Sequence, residues 1–318
     1  MKAVTRTTYG GPDILSVKEI HRPKPKQNEI LVKVKATTVN RTDTGILRGK
    51  PYLIRAFVGL RKPRHLTPGT DFSGEVVEVG SSVTEFKTGD RIWGLSDEGL
   101  QSQAEFMVIR ANKAVVKIPD GINFEDAAAS AEGAHYAYNF INKVKLDKTK
   151  KVMVYGATGA IGSAAVQLLK HYDCFVTAVG NSKNIDLIKS LGADKVVDYQ
   201  RSDFTKDDIE YDFIFDAVGK SSFGECKPLM AEKCIYISSE LGPGAQNLYY
   251  PLLKRFSKRR VVFPVPSKPK RTLEFMNKLL ANKEFKPVIE KKHTIDQIKE
   301  VYKYVESGEK TGNVVIMY

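Results

Sequence analysis

No run of about 18 apolar residues occurs in the chain, so no transmembrane helix is expected. Residues 1–10 lack the apolar segment that a secretory signal needs. Cysteine is scarce. Cys174, Cys226 and Cys234 are odd in number and at spacings that fit no metal site. Cys174 and Cys234 fall in predicted strands, where a thiol behaves as a small hydrophobe. Reduced thiols and a cytoplasmic location are the expectation. The five histidines, His21, His65, His135, His171 and His293, form no pair at helix or hairpin spacing. A zinc site needs three or four Cys, His or carboxylate ligands, so none is expected. Acid is also in deficit: 37 Asp and Glu against 50 Lys and Arg leave a net charge of +13. That surplus fits nucleic acid, an anionic membrane surface or phosphate-bearing ligands, and equally a solvated basic face. No internal repeat or low-complexity tract is visible.

What is present points to an α/β protein of about two domains, 318 residues long and 42% hydrophobic. The central stretch is 151–170, K-V-M-V-Y-G-A-T-G-A-I-G-S-A-A-V-Q-L-L-K. An apolar run of strand length ends at Tyr155. Gly156, Gly159 and Gly162 follow, three apart, and then Ile161, Ala165, Val166, Leu168 and Leu169 recur at helical spacing. A buried strand, a tight glycine turn and an amphipathic helix are what a dinucleotide-binding βαβ unit needs. Glycine lets the backbone approach a pyrophosphate, and the helix start offers free N–H groups and a positive dipole end. An ordinary strand-to-helix turn would share the bare triplet.

The flanking pattern supports the nucleotide reading. Strands are predicted at 152–155, 174–179, 195–199, 211–216, 233–238 and 260–263, with a short helix over 184–191 ended by Gly192. Six strands at this rhythm match a doubly wound parallel Rossmann sheet. Before it, residues 1–118 read as many short strands with Gly and Pro turns, a small barrel or sandwich. A helix is expected over 124–143. After residue 270 come two amphipathic helices and a last strand at 313–317, a tail expected to return to the first domain. The expected division is 1–120 with 266–318 against 121–265.

The end of the second strand discriminates between nicotinamide cofactors. An NAD enzyme places Asp or Glu there for the ribose 2′-hydroxyl. Here Gly180-Asn181-Ser182-Lys183-Asn184 holds no carboxylate. Asn181 and Ser182 offer hydrogen bonds and Lys183 a point charge, which suits the 2′-phosphate of NADPH (NADP). The other reading of Lys183 is a solvated lysine at a helix start.

Taken together, these segments resemble the medium-chain dehydrogenase/reductase superfamily over almost the whole length, and within it the zinc-independent quinone oxidoreductase branch. The resemblance rests on Val39-Asn40-Arg41-Thr42-Asp43 and on Pro68-Gly69-Thr70-Asp71-Phe72-Ser73-Gly74-Glu75-Val76. Gly89-Asp90-Arg91-Ile92-Trp93-Gly94, Ala157-x-Gly159-x-x-Gly162, Leu191-Gly192-Ala193-Asp194 and Phe215-Asp216-Ala217-Val218-Gly219 follow in the family's order. It implies a GroES-like substrate domain beside the Rossmann domain. Asn40 and Thr70 match the positions where zinc-dependent relatives carry ligands, and neither is a credible one. The family's cysteine-rich structural lobe would fall at 95–105, which has no cysteine. Tyr136 stands where many relatives have a threonine near the nicotinamide.

The resemblance further implies hydride transfer from NADPH to a quinone or an α,β-unsaturated carbonyl. Such acceptors delocalise the developing charge and need no Lewis acid. Asn40 and then Tyr52 are the candidate donors to the acceptor's oxygen. The plainer readings are a buried amide stabilising its turn and a partly buried loop aromatic. Thr70 and Tyr136 are expected at the substrate pocket. Gly156, Thr158, Gly159, Ala160, Ile161 and Gly162 are expected at the pyrophosphate. Asn181, Ser182, Lys183 and Tyr199 are expected at the adenosine phosphate, and Ala217, Val218 and Gly219 where the ligand crosses the sheet. Residues 50–68, with Arg55, Arg61, Lys62 and Arg64 and no acid, read either as a lid or as an exposed basic loop. A homodimer is implied by the family. Other uses of the fold remain: binding of nucleic acid or an anionic membrane through the basic run 254–271, or zinc-free oxidation of alcohols.

Overall fold

The computed structural model describes residues 1–253 and 257–318. Its contacts divide the chain into two compact units, Met1–Glu132 with Lys268–Tyr318, and Gly133–Ser267. The first unit thus keeps residues 121–132, which the sequence pattern had put with the second. The helix Phe124–Ala129 explains this: Ala128 and Ala129 are buried against Ala36 and Val315, on strands of the first unit. Ser73 Oγ also donates to the carbonyl of Phe124 at 2.6 Å. The single helix expected over 124–143 is two, Phe124–Ala129 and Glu132–Ile141. The break falls at Ser130, whose hydroxyl donates back to Asp126 O at 2.6 Å and competes with helix continuation.

In the second unit a six-stranded parallel sheet runs in the order Lys195–Asp198, Phe175–Gly180, Lys151–Tyr155, Tyr211–Asp216, Met230–Ser238 and Arg260–Val262. Numbered along the chain this is 3-2-1-4-5-6, the doubly wound order with its switch point between the first and fourth strands. The central strands are buried on both faces: Val152, Met153, Val154, Ile214 and Phe215 have no exposed surface. That is why they read as continuous apolar runs and not as alternating ones. Cys174, Cys226 and Cys234 are buried free thiols, and burial pushes Cys226 up to about 12.

The first unit is organised around the strand Glu29–Val39. It pairs antiparallel with Asp71–Val79, with Phe106–Arg110 and with the C-terminal strand Asn313–Met317. The tail does return as expected, with Val314 opposite Val39. The helix Pro269–Ala281 buries Leu273, Met276, Leu279 and Leu280, and its Asn277 accepts the indole N–H of buried Trp93 at 3.0 Å. The strand Ile289–Thr294 is absent from the sequence expectation because I-E-K-K-H-T has no apolar alternation. It is an end strand of its sheet, where lysines face solvent and blunt the edge. The hydrogen-bonded path ends at Ile289–Thr294 and Val115–Lys117, which are not paired with each other.

Candidate active site

At the switch point of the parallel sheet the chain leaves Tyr155 through Gly156, which has φ of +78°. A Cβ on Gly156 would stand 2.6 Å from Val218. A Cβ on Gly162 would stand 2.1 Å from the carbonyl oxygen of Gly156, so only glycine lets the helix lie this close to the strand end. Gly159 caps the helix Ala160–His171 without any side-chain cap bond. The N–H groups of Ala160, Ile161 and Gly162 therefore have no intrahelical acceptor and are available to an anion. Gly156 N–H and Ala157 N–H are tied to Val179 O at 3.1 and 3.0 Å, which holds the turn against the neighbouring strand. Thr158 lies over that strand end, its methyl 3.2 Å from where a Cβ on Gly180 would be. This is a cradle that side chains would fill, and it fits a dinucleotide pyrophosphate.

Across the switch point the turn Ala217-Val218-Gly219 is built by Asp216. Its carboxylate accepts from Val218 N–H, Gly219 N–H and Ser221 N–H at 3.1, 2.8 and 3.2 Å. Tyr236 hydroxyl donates to it at 3.0 Å. The sequence marked the three turn residues and missed the buried acid that shapes them.

At the second strand's end, Asn181 accepts from Asn184 Nδ2 at 2.9 Å and Lys183 is exposed. The acid missing from this strand arrives from the third. Parallel register sets Asp198 opposite Gly180, and Ser182 hydroxyl donates to the Asp198 carboxylate. That bond first, then Gln200 N–H and Arg201, hold Asp198 below the usual carboxylate range. Arg201 Nε lies 3.6 Å from it. The absence of a carboxylate near Ser182 is thus corrected: strand order supplies what the linear stretch lacks, together with one more cation. Tyr199, half-exposed, follows directly.

In the first unit Asn40 and Thr70 meet in a buried polar network. Asn40 ends the strand Glu29–Val39 and starts the helix Arg41–Arg48, with its N–H donating to Asp43 Oδ2 at 2.9 Å. Its amide donates to Thr38 Oγ1 at 2.6 Å, and its Oδ1 accepts from Lys310 Nζ at 3.2 Å. These are the bonds of a buried amide that holds its turn. Thr70 Oγ1 lies 3.2 Å from Asp43 Oδ1 and 3.1 Å from Glu132 Oε2. Asp71 accepts from Thr38 N–H at 2.7 Å and from the hydroxyls of Thr37 and Thr38. Burial, then the charges of Glu132 and Asp71, push Asp43 well above the carboxylate range. Burial and then Glu132 push Asp71 up to about 7. Glu132 is raised by burial against the bonds of Thr42, Thr70 and Asn40 and the charge of Lys310. Burial pulls Lys310 down to about 8. None of Asp43, Asp71, Glu132 or Lys310 was singled out from sequence. The available signal was Asp43 three residues after Asn40, a capping-box spacing.

A cavity of about 10 Å³ beside Thr70, lined also by Arg6, Asp43 and His65, has room for one water and not for a ring. Tyr52 stays outside the network: its ring is 68% exposed and lies 4.9 Å from the Arg55 guanidinium. Tyr136 is half-buried on the helix Glu132–Ile141, edge-on to His135 with centroids 6.1 Å apart. Among the described residues no three His, Cys, Asp or Glu side chains group to hold a metal ion. No described helix is long and apolar enough to cross a membrane.

Two family models match the chain, the alcohol dehydrogenase GroES-like domain over residues 26–120 and the zinc-binding dehydrogenase over residues 191–316. A quinone-oxidoreductase homolog, chloroplastic, of Spinacia oleracea is 32% identical over 331 residues, covering 99% of this chain and 98% of that protein. A 2-methylene-furan-3-one reductase of Solanum lycopersicum is 30% identical, covering 99% of this chain and 79% of the other. In fold, the Escherichia coli quinone oxidoreductase complexed with NADPH superposes with a TM-score of 0.84 at 22% identity, over 100% of both chains. Glycine cradle, strand order and whole-length likeness agree, and the chain belongs to the quinone oxidoreductases of the medium-chain dehydrogenase/reductase superfamily.

Proposed function

We propose that this chain is an NADPH-dependent reductase that passes a hydride to a quinone or an α,β-unsaturated carbonyl without a metal. The observation that carries the reading is the glycine cradle at the switch point, where a Cβ on Gly162 would meet the backbone at 2.1 Å. The named activities of the spinach and tomato relatives support the acceptor class. NADPH supplies the hydride when bound. The chain's part is to bind and orient it, and Ala160 and Ile161 N–H groups with Gly159 hold the pyrophosphate. Lys183 and Arg201 offset Asp198 and favour the 2′-phosphate, with Asn181, Ser182 and Tyr199 around it. Asn40 is the proposed donor to the acceptor's oxygen, through an amide N–H that exchanges its bond to Thr38 or Glu132 for one to the acceptor. Lys310 against its Oδ1 polarises the amide in the sense that strengthens its N–H. Thr70 and Tyr136 shape the acceptor side, and Tyr52 contributes from the loop. An amide and a hydroxyl at positions 40 and 70 are poor zinc ligands, which supports metal-free chemistry.

We place the enzyme in the cytoplasm, a compartment that keeps its three buried thiols reduced; the plastid named for the spinach relative is the alternative. The basic run 254–271 supports nucleic-acid binding less well. Lys254 and Arg255 lie outside the described residues. Lys258 pairs with Glu232, and Arg259 donates to the carbonyls of Met230 and Ala231.

The test is steady-state oxidation of NADPH and NADH by chelator-treated protein with a para-benzoquinone and with an alkyl enone. Turnover should persist without metal, with kcat/KM for NADPH at least about tenfold above NADH, a margin worth ~1.4 kcal/mol. Lys183→Ala should remove most of that margin, and Asn40→Ala should lower kcat with the NADPH KM unchanged. Oxidation of neither nucleotide by either acceptor would refute the reading.

A further inference from the structure

The loop after the helix Arg41–Arg48 carries a concentration of exposed apolar surface of which the chemistry above uses only Tyr52. Leu53, Phe57, Leu60 and Leu66 are 70%, 59%, 73% and 52% exposed, beside exposed Tyr52. Single exposed apolar side chains are ordinary on a soluble protein, but five in one short loop mark an interaction site. The loop is built to present them. Val58 and Pro63 are buried beneath it, and Arg64 N–H donates to Val58 O at 2.7 Å. Tyr9 hydroxyl donates to Gly59 O, and Arg55 Nε donates to Gly49 O at 3.0 Å. Gly59 turns the chain at φ of +121°, where a Cβ would stand 2.1 Å from Lys62 O.

Cations flank the apolar tips along the chain. Lys50, Arg61, Lys62 and Arg64 are exposed, and no Asp or Glu occurs between residues 44 and 70. Asp43, buried, and Glu98 are the acids that line the cavity beside Val58 and His65 among the described residues. We propose that this loop docks the protein on an anionic lipid bilayer, with Leu53, Phe57 and Leu60 entering the headgroup boundary and Arg61, Lys62 and Arg64 on lipid phosphates. Exposed aliphatic tips flanked by lysine and arginine are the pattern of interfacial anchors. A second copy of the chain fits worse, because a two-fold contact would set these four cations against themselves. Single-stranded RNA fits the charges, but leucine offers bases no stacking face. The proposal goes beyond the reductase reading and does not depend on it, since it is read without turnover.

The experiment is flotation of the full chain with vesicles of phosphatidylcholine alone, or with about one-third phosphatidylglycerol, at ~150 mM salt. The protein should float with the anionic vesicles only. Arg61→Gln/Lys62→Gln/Arg64→Gln should weaken binding on the order of a hundredfold, and Leu53→Ser/Phe57→Ser/Leu60→Ser on the order of tenfold or more. Lys143→Gln/Lys145→Gln/Lys148→Gln removes the same net charge from exposed positions elsewhere and should change little. Leu60→Trp should be quenched by brominated lipid, while Trp93, fully buried, stays unquenched. Thermal melts of every variant confirm folding. The proposal fails if anionic vesicles do not float the protein, or if the control triple loses as much as the loop triple. It also fails if the apolar triple floats like wild type and alters only the KM for the acceptor, which would make the loop a lid. Binding of labelled single-stranded RNA in place of vesicles would equally overturn it.

Discussion

Thr70 has one hydroxyl hydrogen and two carboxyl neighbours at nearly equal distance. It can donate fully to only one of Asp43 and Glu132 at a time, an arrangement that favours a proton on the other. That agrees with the upward shift of both, which burial imposes on Glu132 and which burial, then the charges of Glu132 and Asp71, impose on Asp43. Asp71 makes the linkage to stability measurable. Its pKa rises from an ordinary 3.8 to about 7 on folding. Below pH about 4 it is protonated in both states, and its contribution to stability is fully present. Between about 4 and 7 the unfolded chain ionises while the folded one does not, so that contribution falls, and above 7 it is gone. Asp71→Asn should therefore gain stability relative to wild type as pH rises from 4 to 7, read as the difference in denaturant midpoints. A constant difference would show that Asp71 ionises normally when folded. Asp198 supports a second prediction. Its negative charge at Ser182 repels a 2′-phosphate, so Asp198→Asn should raise the NADPH-over-NADH ratio by about tenfold, opposite in sign to Lys183→Ala. Competitive binding of the two nucleotides checks it.

Elements place these groups, and small local choices decide where elements end. The glycine-to-helix turn works because strand and helix approach within a distance that excludes any Cβ at Gly162. Gly162→Val should push the helix off the sheet, lower stability by about 2 kcal/mol or more and abolish nucleotide binding. Retained binding in a fluorescence titration would contradict the cradle. Ser130 shows the opposite case, a polar residue whose backbone-directed bond splits an alanine-rich helix that periodicity reads as continuous. Ile289–Thr294 shows a third, a strand made by its partner and not by its own pattern.

At the scale of the whole molecule, the parallel sheet has no further strand beyond Arg260–Val262 among the described residues, with exposed Leu252, Leu253 and Val265 in the flanking chain. An edge of this kind invites pairing with a second copy. We expect a homodimer by light scattering, and Leu252→Asp/Leu253→Asp should shift it toward monomer while nucleotide binding persists. A monomer in wild type would remove this surface from the dimer argument.

The sequence by itself determined the α/β class, the six strands of the nucleotide sheet, the glycine turn and the return of the tail. These are local facts: strand runs, helical periodicity and glycine spacing act over a few residues at a time. Only the tertiary structure decided which distant side chains share a site. Asp198 reaches Ser182 because the third strand lies beside the second, and Asp216 shapes its turn through donors both adjacent and from a neighbouring strand. Asn40, Thr70, Glu132 and Lys310 span most of the chain's length and meet only once the first unit has folded. Their altered proton affinities arise from burial and from one another, and neither exists along the extended chain.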